Sequence, residues 1–141
     1  MKKKKAKDKI KARSVPFSQT RTRHASETAE DYVEAVMDLI DETGECRVLD
    51  LARFFNVSHV TVSRTVKRLN DQDLLLTQPY KPIELTEKGY KLAKRSKKRH
   101  EIVLDFLIKL GVDKANAEID SEGIEHHVSS KTLDAMKRFL K

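Results

Sequence analysis

Apolar residues recur at helical spacing along most of this 141-residue chain. Val33, Val36, Met37 and Ile40 stand at i, i+3, i+4 and i+7, which predicts an amphipathic helix starting at a Thr28 cap, with Asp31 as capping carboxylate, and ending near Gly44. Asp31, Glu34, Asp38 and Asp41 fall on its other faces. Val48, Leu51, Ala52 and Phe55 predict a second, short helix, broken at Asn56-Val57-Ser58. Ser58 caps a third, in which Val62, Val66 and Leu69 turn inward and His59, Thr61, Ser63, Arg64, Lys67 and Arg68 turn outward. Two short helices joined by a tight turn, the second polar and basic outside, form the helix-turn-helix pattern.

Leu74–Thr77 and Ile83–Thr86 then predict two short strands around Gln78-Pro79-Tyr80-Lys81-Pro82. The prolines cannot donate to a ladder and so belong at the hairpin tip. A hairpin after a helix-turn-helix makes a winged helix. Thr86 caps a long helix whose stripe runs Leu92, Ala93, Ser96, His100, Val103, Leu107 and Leu110 and stops at Gly111. A short helix follows from about Asp113, and Ser130 caps a last one carrying Leu133, Met136 and Leu140. The expected fold is mostly α, a winged helix-turn-helix over residues 26–97 followed by a helical domain over 98–141.

Charge changes this picture at one end. The net charge is +7, yet residues 1–25 hold ten Lys/Arg against Asp8, so the remainder totals −2. With no apolar stripe, residues 1–25 are expected to be a disordered basic tail, either a solubilising extension or an arm along DNA phosphates. No apolar run is long enough to span a membrane, and the tail lacks the apolar core of a secretory signal. A lone cysteine, Cys46, excludes an internal disulfide and suits a reducing, cytoplasmic setting.

Three groups of residues bear chemistry. Glu122, Glu125 and His126 share a helix face at i, i+3 and i+4, a divalent-metal half-site or a solvated acidic face beside a structural histidine. Asp31 and Glu34 form a second pair, also readable as helix-terminal acids. His100 lies on an apolar stripe, where a histidine is ordinarily a satisfied core residue. Together they offer four carboxylates and two imidazoles from three segments.

Glu30-Asp31-Tyr32-Val33-Glu34, the winged helix, Arg99-His100-Glu101, Gly111-Val112 and Glu122-Gly123-Ile124-Glu125-His126-His127 resemble, in this order, the manganese transport regulator branch of the diphtheria toxin repressor family. The resemblance covers residues 26 to 141. It implies a metal-binding and dimerisation role for residues 98–141, and two Mn²⁺ ions held by Asp31, Glu34, His100, Glu122, Glu125 and His126. The iron-responsive branch has a sulfur ligand at the position of Glu125, where this chain's hard carboxylate suits Mn²⁺. Two departures stand out. Lys81-Pro82 replaces the family's Arg-Gly at the wing tip, and the extra C-terminal domain of the iron-responsive branch is not expected here.

The expected molecule is a homodimer that binds double-stranded operator DNA when Mn²⁺ is bound and represses manganese uptake genes. Ser58, His59, Val60, Thr61 and Arg64 lie near the start of the recognition helix, where His59, Val60, Thr61 and Arg64 would read base edges, Arg64 pairing with guanine. Ser63, Lys67, Arg68 and Lys81 would meet phosphates. Three alternatives stand beside this reading: a winged-helix protein that ignores metal, an iron-responsive repressor, and a metallohydrolase. Neither a phosphate loop nor an H-E-x-x-H motif supports the hydrolase, and an enzyme is not expected.

Overall fold

The computed structural model describes residues 1–141, apart from the side chains of residues 17–25. Helix α1 (Lys2–Thr43) leads into α2 (Val48–Phe55) and α3 (His59–Asp71). Strands β1 (Leu75–Leu76) and β2 (Glu84–Leu85) follow, then α4 (Glu87–Leu110), α5 (Lys114–Ile124) and α6 (Ser130–Leu140). The expected winged helix-turn-helix and following helices are therefore present.

Helix ends obey local chemistry. Gly44 closes α1 and Gly111 closes α4, both at positive φ, where a glycine is unstrained. The side chains of Ser58, Thr86 and Asp113 cap α3, α4 and α5 by accepting backbone N–H groups. The last helix is capped by Ser129, one residue before the expected Ser130. Asn56 ends α2 in the left-handed region and turns the chain into α3.

Val33, Val36, Leu51, Val62, Leu69, Leu75 and Ala93 form a continuous core between α1, the helix-turn-helix, the wing and α4. Tyr32 stacks on Phe55 at 4.6 Å, tying α1 to α2. Cys46 is wholly buried; burial pushes its thiol up to about 12, with Asp50 adding, so it is a packed, unreactive residue. The wing is shorter than its sequence predicts, pairing Leu75 with Leu85 and Leu76 with Glu84 in antiparallel register. Leu74 and Thr86 instead brace the base of the wing, where the Thr86 N–H donates to the Leu74 carbonyl and the Thr86 hydroxyl to the Asp73 carbonyl.

Two expectations need correction. The first helix does not start at Thr28 behind a disordered tail; α1 runs from Lys2. Apolar periodicity reports packing rather than helicity, and a Lys- and Arg-rich sequence without glycine is helix-competent once a packed turn downstream has supplied the nucleus, even with Pro16 inside α1. Leu110 does not close an interior stripe but is 56% exposed. The stripe outruns the layer it packs against, because the chain turns away at Gly111. Helix α4 packs against α1, α5 and α6, and it runs unbroken across the expected boundary at residue 97.

Candidate metal centre and nucleic-acid interface

Because α1 begins upstream of Thr28, Glu27, Glu30, Asp31 and Glu34 share one stripe at i, i+3, i+4 and i+7. Helix α4 brings His100 and Ser96 towards this stripe. Residues Glu122, Glu125 and His126 lie at the end of α5. That helix gives out at Ile124, but Glu125 keeps helical geometry with its N–H on the Ser121 carbonyl, so the expected convergence survives the end of the helix.

Two histidines centre the cluster. Nε2 of His126 stands 3.0 Å from Asp31 Oδ1 and 3.2 Å from Glu125 Oε1. Nδ1 of His100 stands 2.9 Å from Glu125 Oε2 and 3.6 Å from Glu122 Oε1. Glu125 is 2% exposed and faces both imidazoles, one with each oxygen. Glu34 accepts a hydrogen bond from Ser96 Oγ at 3.0 Å and lines a cavity of about 210 Å³ with Asp31, Asp38 and Glu122. All six residues singled out from the sequence thus meet in one region.

The donor set suits a cation. His100 Nδ1 and Glu125 Oε2 are buried, yet neither has a hydrogen-bond partner of acceptable geometry despite lying 2.9 Å apart. Two such atoms aimed at one point satisfy each other through a shared positive charge. Oxygen and imidazole nitrogen donors, with no thiolate, suit Mn²⁺ and similar hard or borderline ions. The ligand atoms of His100, Glu122 and Glu125 form one compact group, and those of Glu27, Asp31 and His126 form another.

Charge is concentrated here at a cost. Burial pushes the Glu34 carboxyl above its ordinary range, and the charges of Glu125, Asp38 and Glu122 add to this against the Ser96 hydrogen bond. Burial likewise raises Glu122, with Glu125 and Asp31 adding and the histidines opposing. Burial would lower His126, but its hydrogen bonds to Asp31, Glu125 and Glu30 prevail and push it up to about 12.

Two partners escaped the sequence reading. Glu30 is buried, with Oε2 2.6 Å from His126 Nδ1 and Oε1 3.4 Å from Arg99 Nη1. Arg99 also donates through Nη2 to the Glu125 carbonyl, so one guanidinium fastens Glu30 to the α5 terminus. Glu27 lies 3.3 Å from half-buried His127. Extending α1 upstream of Thr28 puts Glu27 on the same stripe as Glu30, Asp31 and Glu34.

At the other end of the domain, all nine residues proposed for DNA are exposed: Ser58, His59, Val60, Thr61, Ser63, Arg64, Lys67, Arg68 and Lys81. The Ser58 and Thr61 hydroxyls lie 3.0 Å apart within the cap of α3. Tyr80, unremarked in the sequence, is 99% exposed at the wing tip beside Lys81.

Two family models match the chain. Residues 24–83 match the N-terminal DNA-binding domain of the iron-dependent repressors, and residues 86–141 match their metal-binding and dimerisation domain. The chain belongs to the iron-dependent repressor family. Among relatives in this family, the transcriptional regulator MntR of Escherichia coli O157:H7 is 46% identical over 123 residues, covering 87% of this chain and 79% of its own. The HTH-type transcriptional regulator MntR of Shouchella clausii is 41% identical over 105 residues, covering 74% of this chain and 73% of its own. The solved structure of the manganese regulator SloR superposes with a TM-score of 0.70 at 28% identity, over 79% of this chain and 53% of that one. The chain thus spans about half the length of that solved chain. The two family matches meet at β2, just before α4. The iron-dependent repressor fold therefore places α1's acidic stripe in the DNA-binding domain and His100, Glu122, Glu125 and His126 in the metal-binding domain. Among the described residues, no helix is long and apolar enough to cross a membrane.

Proposed function

We infer that this protein is a manganese-responsive transcriptional repressor, a cytoplasmic homodimer that binds operator DNA at manganese uptake genes when Mn²⁺ is bound. The carrying observation is the convergence of Asp31 and Glu34, from the DNA-reading domain, with His100, Glu122, Glu125 and His126. The names of the MntR relatives and of SloR support manganese as the signal.

The six residues would hold two ions, with the two oxygens of Glu125 facing the two sites. Four ionised carboxylates carry a formal −4, and two divalent ions cancel it. His126 must give up a proton to ligate, so metal uptake releases protons. A site shared across the domains restrains how the recognition helices of a dimer are spaced, and half-sites one helical turn apart demand such spacing. By linkage, DNA raises metal affinity by the factor with which metal raises DNA affinity. Exposed Ile108, Leu110, Ile119 and Phe139 on α4, α5 and α6 give the second copy an apolar surface. A metal-blind DNA binder would bear the cost of burying these carboxylates without gain. The hard oxygens of Glu125 favour Mn²⁺ over the softer preference of an iron-responsive site.

The test starts from a random duplex pool enriched by Mn²⁺-loaded protein. Selected duplexes should be retarded in a gel with Mn²⁺ and released by EDTA. Retardation indifferent to EDTA would remove metal from the reading.

Glu30 and Arg99 should tune the site without ligating. Glu30 turns the His126 ring so that Nε2 meets Asp31 and Glu125, the carboxylate–histidine arrangement that commonly orients ligands. Glu30→Gln keeps the shape and removes the charge. Calorimetric titration should show Mn²⁺ affinity falling by about 10- to 100-fold, with the helical circular dichroism retained. Unchanged affinity would make Glu30 a purely structural residue.

A further inference from the structure

We propose that residues 2–13 are a DNA-phosphate arm, a sequence-independent contact that supplies most of the protein's electrostatic attraction to the duplex. The inference rests on the repressor reading for its partner. Its ground is the charge ledger of the chain. Residues 44–85, which hold the helix-turn-helix and wing, carry six Lys/Arg against five Asp/Glu. Residues 26–141 together total −2, or only +2 with two divalent ions bound. A body of that charge gains little long-range attraction to a polyanion. Residues 2–13 carry eight cations (Lys2, Lys3, Lys4, Lys5, Lys7, Lys9, Lys11 and Arg13) against Asp8.

Their arrangement selects the partner. All of residues 1–16 are exposed, and α1 begins at Lys2. Twelve helical residues span about 18 Å, so the cations stand about one per 2 Å of axis. Duplex DNA carries one negative charge per about 1.7 Å. The pairs Lys3/Lys7, Lys5/Lys9, Lys7/Lys11 and Lys9/Arg13 stand at i, i+4, where like charges oppose the helix until a polyanion neutralises them. An anionic membrane is the poorer match. A helix lying in a lipid surface needs an apolar face, and here cations ring the axis while Ile10 stands alone among alanines as the large apolar residue of residues 2–13.

The test uses the full chain with all eight cations changed to Gln, a comparable helix former, against wild type and a variant with the seven lysines changed to Arg. Binding to a 40-base-pair duplex of mixed sequence is followed by fluorescence anisotropy over a KCl series, at fixed Mn²⁺ and again in EDTA. The slope of log affinity on log salt should shrink by about 3 or more in the Gln variant, at about 0.9 per lost phosphate contact. The Arg variant should keep the wild-type slope. Retained Mn²⁺ binding certifies the fold of the Gln variant. A Gln-variant slope within one unit of wild type overturns the arm, as does an unchanged duplex slope beside lost binding to phosphatidylserine vesicles, measured in parallel by co-sedimentation. The repressor reading fails separately, if selected duplexes bind equally with Mn²⁺ and EDTA, because the arm's slope does not require metal.

Discussion

Replacing Glu125 with alanine should abolish Mn²⁺-dependent DNA binding. Among the described residues, Glu125 alone stands within ion-pair distance of both histidines: its oxygens lie 3.2 Å from His126 Nε2 and 2.9 Å from His100 Nδ1. Alanine would leave His100 with exposed Glu122, and His126 with Asp31 and Glu30, as two incomplete groups. Removing a partner that merely orients a ligand typically costs 10- to 100-fold in metal affinity, so losing a ligand common to two ions should cost more than about 100-fold. Calorimetry with Mn²⁺ would read the affinity, and gel retardation the DNA response. Glu125→Met refines the test. It preserves bulk but offers a thioether, so Mn²⁺ binding should fall while softer ions are held relatively better. The fold should persist in both variants, because the residue removed is a buried carboxylate among other carboxylates rather than part of the apolar core. Mn²⁺ activating the alanine variant at wild-type concentrations would show that Glu125 is no ligand, and the two-ion reading would fall with it.

The ease of reading this chain follows from the range of the interactions involved. Caps at Ser58, Thr86 and Gly111 are local, and each stands where local chemistry requires it. The inward set Val62, Val66 and Leu69 was visible because one helical face is enough to define it. The six residues of the candidate centre were legible because each group obeys helical spacing, and the family resemblance joined them. Glu27 and Glu30 were missed for a different reason. Apolar periodicity fades where α1 leaves the core, which hides Glu27, whereas Glu30 lies within the expected helix and only its tertiary partners, Arg99 and His126, reveal its role. The Arg99–Glu30–His126 chain spans 96 residues from Glu30 to His126, and only tertiary packing brings its members together.

Gly89 illustrates the same limit and should give the largest loss of stability from a single methyl group. In the middle of a helix, Gly→Ala ordinarily gains about 1 kcal/mol, because alanine loses less entropy on folding. Here the sign should reverse. A Cβ on Gly89 would stand 2.0 Å from the Leu74 carbonyl oxygen and 2.9 Å from its carbon, contact with backbone rather than with a flexible side chain. That carbonyl is pinned. It accepts from the Thr86 N–H at 3.2 Å, while the Thr86 hydroxyl, 3.1 Å away, donates to the adjacent Asp73 carbonyl at 2.6 Å and caps α4 by accepting the Gly89 N–H at 3.0 Å. Relief therefore means pushing α4 off the base of the wing, breaking the cap or opening the start of β1. We expect Gly89→Ala to cost about 3 kcal/mol, at the upper end of ordinary overpacking, which is a fall of roughly 10 °C in melting temperature for a domain of this size. Gly123→Ala provides the internal comparison. It also lies in a helix, but its added Cβ meets nothing within 4 Å, so it should stabilise by up to about 1 kcal/mol. Thermal melts of the two variants should move in opposite directions. If both rise, the wing and α4 are free to separate, and the close approach of Gly89 to Leu74 is not what sets the angle between the DNA-reading unit and the helix that carries His100.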